Sequence, residues 1–225
     1  MPLSTPSPGR CDEKTFNVTP RFGRRSIGFV SLWSDSAIVA ALRRGDRTGF
    51  DHAYARYHVR IHRFLSRLVR RPDVTDDLVQ DTWMALARSG ASLREDTDLA
   101  AWLFTVARNE ARSHRRWSVL DVTRFVTLGD EPHASPSAGP ELEAEASRAA
   151  ERLERALSEV SASHREVLLL IVVEGLSQEQ VASVLGIAYE AVRQRLSRAR
   201  AALAERLAAL ETARPTLALP GGTTP

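Results

Sequence analysis

The chain has 225 residues, enough for two small domains that each bury a core. Its net charge of +3 is carried almost wholly by arginine, Lys14 being the only lysine. That bias suits bidentate contact with phosphate and guanine, and it also follows from genome base composition. The single cysteine, Cys11, excludes an internal disulfide framework and fits a reducing cytoplasm. No apolar run is long enough to span a membrane. The N-terminus has proline, serine and charge where a signal peptide needs an apolar core, so neither membrane insertion nor export is expected.

Composition divides the chain into zones. Residues 1–34 are rich in Ser, Pro, Gly and Arg and read as a disordered extension. Residues 35–117 carry helical periodicity, broken at Gly45, Pro72 and Gly90. Residues 118–147 hold Gly129, Pro132, Pro136, Gly139 and Pro140 and then the acidic run Glu141, Glu143 and Glu145, which is the composition of a flexible linker. Helical signals return over 148–211, and 212–225 should fray. With no sustained strand alternation, the expected fold is all-α: two small helical domains joined by a flexible linker.

In the first domain, DVTDDLVQDTWMALAR (73–88) forms a helix with Val79, Trp83 and Leu86 on one face and Asp77, Asp81 and Arg88 on the other. Such a helix is either an ordinary amphipathic element with an acidic first turn or a surface that docks a partner helix through Leu78, Gln80, Asp81 and their neighbours. After the polar loop SGASLREDTD, the segment DLAAWLFTVARNEARSHRRW (98–117) buries Leu99, Trp102, Leu103 and Val106. Arg108, Arg112 and Arg115 share its far side, with Asn109 and Arg116 beside them. A basic stripe next to an exposed loop suits a nucleic-acid backbone and an unstacked base.

The second domain opens on a helix with Leu153, Leu157 and Val160 inward. Ser163 with Glu166 reads as a capping box for the next helix, through Leu168 and Ile171 to a stop at Gly175. Then comes EGLSQEQVASVLGIAYEAVRQRLSRARAAL (174–203). Ser177 with Gln180 caps one helix, Gly186 ends it, and Ile187 and Ala188 make a sharp turn into a second. There Val192, Leu196, Ala199, Leu203 and Leu207 form an apolar stripe, opposite Gln194, Ser197 and Arg198 with Arg193 and Arg195 flanking. The domain is thus a four-helix unit containing a helix-turn-helix whose second helix can offer arginine to a major groove.

These segments in this order, DDLVQDTWMALAR, WLFTVARNEARSHRR, a linker, EGLSQEQVASVLGI and VRQRLSRARAAL, resemble the sigma-70 family of bacterial transcription initiation factors, in its compact extracytoplasmic-function group. The likeness covers about residues 35–117 and 148–207. It implies region 2 of such a factor over 35–117 and region 4 over 148–211. It also implies a cytoplasmic bacterial protein without catalysis, cofactor or metal, monomeric when free, whose partners are core RNA polymerase, promoter DNA and, as in many relatives, an anti-sigma protein. By the same resemblance Asp77, Leu78, Gln80, Asp81 and Trp83 would dock on polymerase. Leu93, Arg94, Asp96, Arg108, Asn109, Arg112, Arg115 and Arg116 would capture the opened minus-ten element. Tyr189, Glu190, Arg193, Gln194, Arg195 and Arg198 would read the minus-thirty-five element. Two departures stand out. Leu93 replaces a phenylalanine common in the capture loop, and Glu190 and Ala191 stand where a small residue and a threonine are usual.

The main rival is a conventional helix-turn-helix regulator that binds duplex DNA without joining polymerase. It accounts for 148–207 but not for the basic helix at 98–117, and no heptad seam for its dimerisation is present. A helical adaptor that binds only proteins would tolerate loss of the arginines. His58 and His62, at i and i+4, have no further metal ligands nearby in sequence and read as solvated or core histidines. No phosphate loop, catalytic triad or paired-carboxylate motif appears.

Overall fold

The computed structural model describes residues 33–120 and 140–212, side chains at 116–120, 140–144 and 146 excepted. The expected N-terminal extension, most of the linker and the C-terminal tail therefore lie outside the described residues. Within them the chain is helical and has no strand. The first group comprises α1 (Asp35–Arg43), α2 (Arg47–Val69), α3 (Pro72–Ser89) and α4 (Leu99–Leu120). The second comprises α5 (Pro140–Glu159), α6 (Ala162–Leu168), α7 (Gln178–Leu185) and α8 (Tyr189–Thr212).

Local chemistry sets the boundaries. Ser34 accepts from the Ala37 amide to start α1, and Asp46 accepts from Thr48 at 2.9 Å to start α2. Pro72 stands in the first turn of α3, where its missing N–H costs nothing. Asp98 caps α4, its carboxylate accepting from the Ala101 amide at 2.9 Å. Gly49 is required where α1 crosses α2, because a Cβ there would lie 2.8 Å from the Leu42 amide nitrogen. In the first core, Ile61, Phe64 and Leu65 of α2 meet Leu86 of α3 and Leu99, Leu103 and Phe104 of α4, all fully buried. Phe64 and Phe104 pack edge to face at 5.3 Å.

In the second group the start of α6 differs from the capping box expected at Ser163. Ser161 is the cap, accepting from the His164 amide, and this leaves Glu166 free for a different bond described below. The helix also does not run evenly to Gly175. Residues Leu169–Val173 form a wider π turn, and Gly175, at φ +67°, then reverses the chain. Arg165 donates to the Leu157, Ser158 and Val160 carbonyls and so closes the C-terminal end of α5. Leu153, expected inward, is 41% exposed, while Ala156, Leu157 and Val160 are buried.

The two helical domains pack against each other. α4 lies along α7, and α2 touches α6 and the π turn, so one apolar cluster runs from Ile38 to Ala199 through both. The sequence separates the domains, whereas their closure rests on contacts between residues far apart in the chain.

On the far side of α2, Tyr54 stacks on His58 at 4.4 Å and lies 4.9 Å from Trp83. His58 Nδ1 is buried without a hydrogen-bond partner. Burial, helped by the charge of His62 and opposed by Asp76, pulls the His58 imidazole below its ordinary range. The unfolded chain therefore binds the extra proton more readily, and stability is complete above about pH 6.5 and falls as pH drops below it. Thermal unfolding followed by circular dichroism should show a falling Tm over that window. The fall should be smaller in His58→Phe; an equal fall would place the effect elsewhere.

Candidate nucleic-acid interface

The reading helix is built from its buried side outward. Val181, Val184 and Leu185 of α7 pack on Val192, Leu196 and Ala199 of α8, which fixes the angle between the two helices. Both halves of the Ser177–Gln180 capping box are present, and Gly186 takes the left-handed conformation (φ +64°) that a side chain would strain. With its inner stripe held, α8 turns Tyr189, Glu190, Arg193, Gln194, Ser197 and Arg198 to solvent, while Arg195 is half-buried. Glu190 is paired on its own helix with Arg193 at 3.3 Å. The carboxylate thus offsets part of the charge that Arg193 brings to this face, and a phosphate approaching Arg193 must compete with it.

The α4 side is less open than its sequence suggests. Arg112, Arg115 and Asn109 are exposed, but Arg108 is buried, donating to Glu166 at 3.3 Å and to the Val184 carbonyl at 3.4 Å. Both acceptors belong to the second domain. Arg116 lies outside the residues whose side chains are described. Arg108, Arg112 and Arg115 line one cleft between the domains together with Arg195 of α8, so the basic faces of the two domains converge. In the loop before α4, Arg94 and Asp96 are exposed and bonded to each other at 2.9 and 3.1 Å. Those bonds and the Arg94 charge hold the Asp96 carboxyl below the usual carboxylate range. Leu93, placed by resemblance among the capture residues, is only 8% exposed and anchors the loop to the core. It is not presented for stacking on a base.

On α3, Asp77, Gln80, Asp81, Met84 and Arg88 make one exposed face. Leu78 and Trp83, expected on the docking surface, are 4% and 6% exposed and belong to the core. Their role is to hold α3 against α2 and α4, leaving the polar face to any partner.

Comparison with known proteins matches these two regions separately. A model described as sigma-70 region 2 matches residues 53–117, and one described as sigma-70 region 4 matches residues 150–203. The RNA polymerase sigma factor CarQ of Myxococcus xanthus is 32% identical over 172 residues, covering 75% of this chain and 95% of that protein. The chain belongs to the sigma-70 family, in its extracytoplasmic-function group. The ECF RNA polymerase sigma factor SigM of Mycobacterium tuberculosis is 30% identical over 179 residues, 80% of this chain and 87% of that one. Among solved structures, the sigma factor RpoE of Bartonella quintana, crystallised with the anti-sigma factor NepR, superposes with a TM-score of 0.60 at 30% identity. It covers 73% of this chain and 98% of its own. This sigma factor is a transcription initiation factor, and the conventional-regulator and adaptor alternatives fall away.

Sequence reasoning missed the contacts that close this sigma factor. Glu174 has a fully buried side chain between two arginines of α2: Arg60 donates to it at 3.2 Å and Arg63 at 3.0 and 3.1 Å. Arg60 also donates to the Glu174 carbonyl at 2.6 Å. Arg67 pairs with Glu154 at 2.5 Å, and Gln180 donates to Asp98 at 2.7 Å. The one available signal was that Arg60, Arg63 and Arg67 recur at helical spacing along α2, a face with no acidic residue of its own.

Proposed function

We propose a division of labour for this sigma factor in which α3 docks core RNA polymerase, α4 with its preceding loop holds the opened minus-ten element, and α8 reads the minus-thirty-five element. The observation that carries it is the outward set Arg193, Gln194 and Arg198, with the half-buried Arg195 beside them, on a helix whose other side is locked in a core. Arginine at such positions bonds guanine edges, each good pair contributing on the order of 1–3 kcal/mol of discrimination. On α4, Asn109, Arg112 and Arg115 are the exposed polar groups that can meet a displaced strand, with Arg94 and Asp96 in the loop above them. Extracting a base costs a few kcal/mol, which phosphate contacts along α4 help to offset. The polar face Asp77, Gln80 and Asp81 suits a basic or polar partner helix. No residue is assigned a catalytic, metal or cofactor role; the chemistry of RNA synthesis belongs to the polymerase. No described helix is long and apolar enough to cross a membrane, and a cytoplasmic site of action follows from the polymerase partner.

Geometry adds a condition. The two promoter elements are separated by roughly 25 base pairs, or about 85 Å of duplex at ~3.4 Å per pair. In the closed protein the loop beside α4 touches the start of α7, with Asp98 and Gln180 2.7 Å apart. Both elements cannot be read in that state. Residues 121–139 can extend by at most about 65 Å at ~3.3–3.6 Å per residue, which together with the lengths of the two domains permits an open span. An anti-sigma protein that held the two domains together would use the same constraint. Permanganate mapping of unpaired thymines on promoter DNA, with holoenzyme carrying wild-type or Asn109→Ala/Arg112→Ala protein, tests the assignment of α4. Melting around the minus-ten position that disappears in the variant supports it, and undiminished melting contradicts it.

A further inference from the structure

Four arginines of the first domain have ion-pair partners in the second. Arg60 and Arg63 share Glu174, Arg67 holds Glu154, and Arg108 holds Glu166. Arg60, Arg63 and Arg67 lie at i, i+3 and i+7 and so share one face of α2. The Arg60 guanidinium sits 5.2 Å from the Tyr57 ring centre and 5.5 Å from that of Phe104. Phe104 is one turn before Arg108 on α4, so Arg60 sits beside the helix that carries Arg108, Arg112 and Arg115. Opening the domains, which the promoter spacing demands, removes Glu154, Glu166 and Glu174 from this face. Four guanidiniums then lose their carboxylates together, beside the helix assigned above to DNA.

We propose that this α2 face, Arg60, Arg63 and Arg67, is a second phosphate-binding track for promoter DNA, and that Glu154, Glu166 and Glu174 occupy it in the closed protein as substitutes for phosphate. This rests on the assignment of α4 to DNA given above and extends it to a helix not otherwise assigned to DNA. The side chains suit the ligand. Arginine pairs with carboxylate and phosphate through the same forked geometry, so one set of guanidiniums serves both partners in turn. The aromatic rings under Arg60 hold its charged plane in place whichever anion is bound. A protein partner is the less favoured occupant, because this face carries three arginines and no carboxylate of its own and lies beside the basic helix α4. Closure therefore blocks DNA by filling its site as well as by holding the domains together.

The test separates a track from a plain latch, because the two predict different responses to losing arginine. Binding of the full-length protein to a short mixed-sequence DNA duplex is followed by fluorescence anisotropy across a salt series. The variant Glu154→Gln/Glu166→Gln/Glu174→Gln should bind several-fold more tightly than wild type, since its track is unmasked. Adding Arg63→Ala/Arg67→Ala to it should reverse that gain and lower the slope of log K against log salt by about 1.8, at ~0.9 for each phosphate no longer neutralised. An unchanged slope would overturn the proposal, as would glutamine substitutions without effect on affinity. If the glutamine variant loses helix content by circular dichroism, Arg63→Ala/Arg67→Ala is measured in holoenzyme on a promoter fragment, where the same fall in slope is expected and its absence overturns the track. Run-off transcription by that holoenzyme at low salt reports on the sigma function itself, so failure of the track and failure of the promoter-reading assignment remain distinct.

Discussion

Replacing Arg193, Arg195 and Arg198 together by alanine is expected to lower initiation at a minus-thirty-five-dependent promoter by roughly 100-fold or more. Each arginine contact contributes at least about 1 kcal/mol, and about 1.4 kcal/mol is a factor of ten. The loss should fall on promoter recognition alone. Arg193 and Arg198 are exposed and Arg195 is half-buried, whereas the packing of α8 rests on Val192, Leu196 and Ala199. Run-off transcription reports the loss, while retention on immobilised core polymerase should stay at the wild-type level. Arg193 carries less of the effect than its position suggests, because Glu190 already engages it. Glu190→Ala alone is therefore expected to loosen phosphate repulsion at the start of α8 and to shift, rather than abolish, promoter preference.

The second large effect is expected on α3. Reversing charge at Asp77 and Asp81 should weaken binding to core polymerase by roughly 100-fold, since truncating one side of a close interfacial charge pair commonly costs about 2–5 kcal/mol. Both side chains are exposed and neither makes a hydrogen bond or ion pair among the described residues. The fold has no use for them, so thermal stability should barely change. Competition against a labelled sigma factor for core polymerase reads the change directly. By contrast, Leu78→Ala should lower Tm, because that side chain is 4% exposed in the core of the first domain. The pair of results distinguishes the docking face from the scaffold beneath it.

Periodicity and capping chemistry carry most of this fold. The boundaries at Gly45, Pro72, Ser177 and Gly186 are readable because each depends on a few neighbouring residues: a left-handed glycine, a proline in a first turn, a reciprocal cap. Where sequence reading went astray, the deciding interaction is distant. Ser163 and Glu166 have the spacing of a capping box, but Glu166 is drawn to Arg108, 58 residues away, and Ser161 caps instead. Leu93 has the sequence position of a capture-loop residue, and only tertiary packing reveals that it is an anchor. Trp83 sits inside the docking motif and yet faces Tyr54 and His58. Resemblance located the motif but could not separate its inner side chains from its outer ones. The seam between the domains was least legible, since Glu174 lies 114 residues from Arg60 and 111 from Arg63 and no local rule links them. Four arginines of the first domain have their carboxylate partners across that seam.

The most direct measurement is run-off transcription with purified core polymerase, with and without this protein, on a pooled library of promoter fragments. Specific transcripts are expected only when the protein is present, from promoters sharing two elements, and should be lost with the Arg193, Arg195 and Arg198 substitutions. Undiminished promoter-specific transcription by the triple variant would contradict the reading of DNA by α8. The absence of a protein-dependent transcript from every fragment would contradict promoter-specific initiation by this protein.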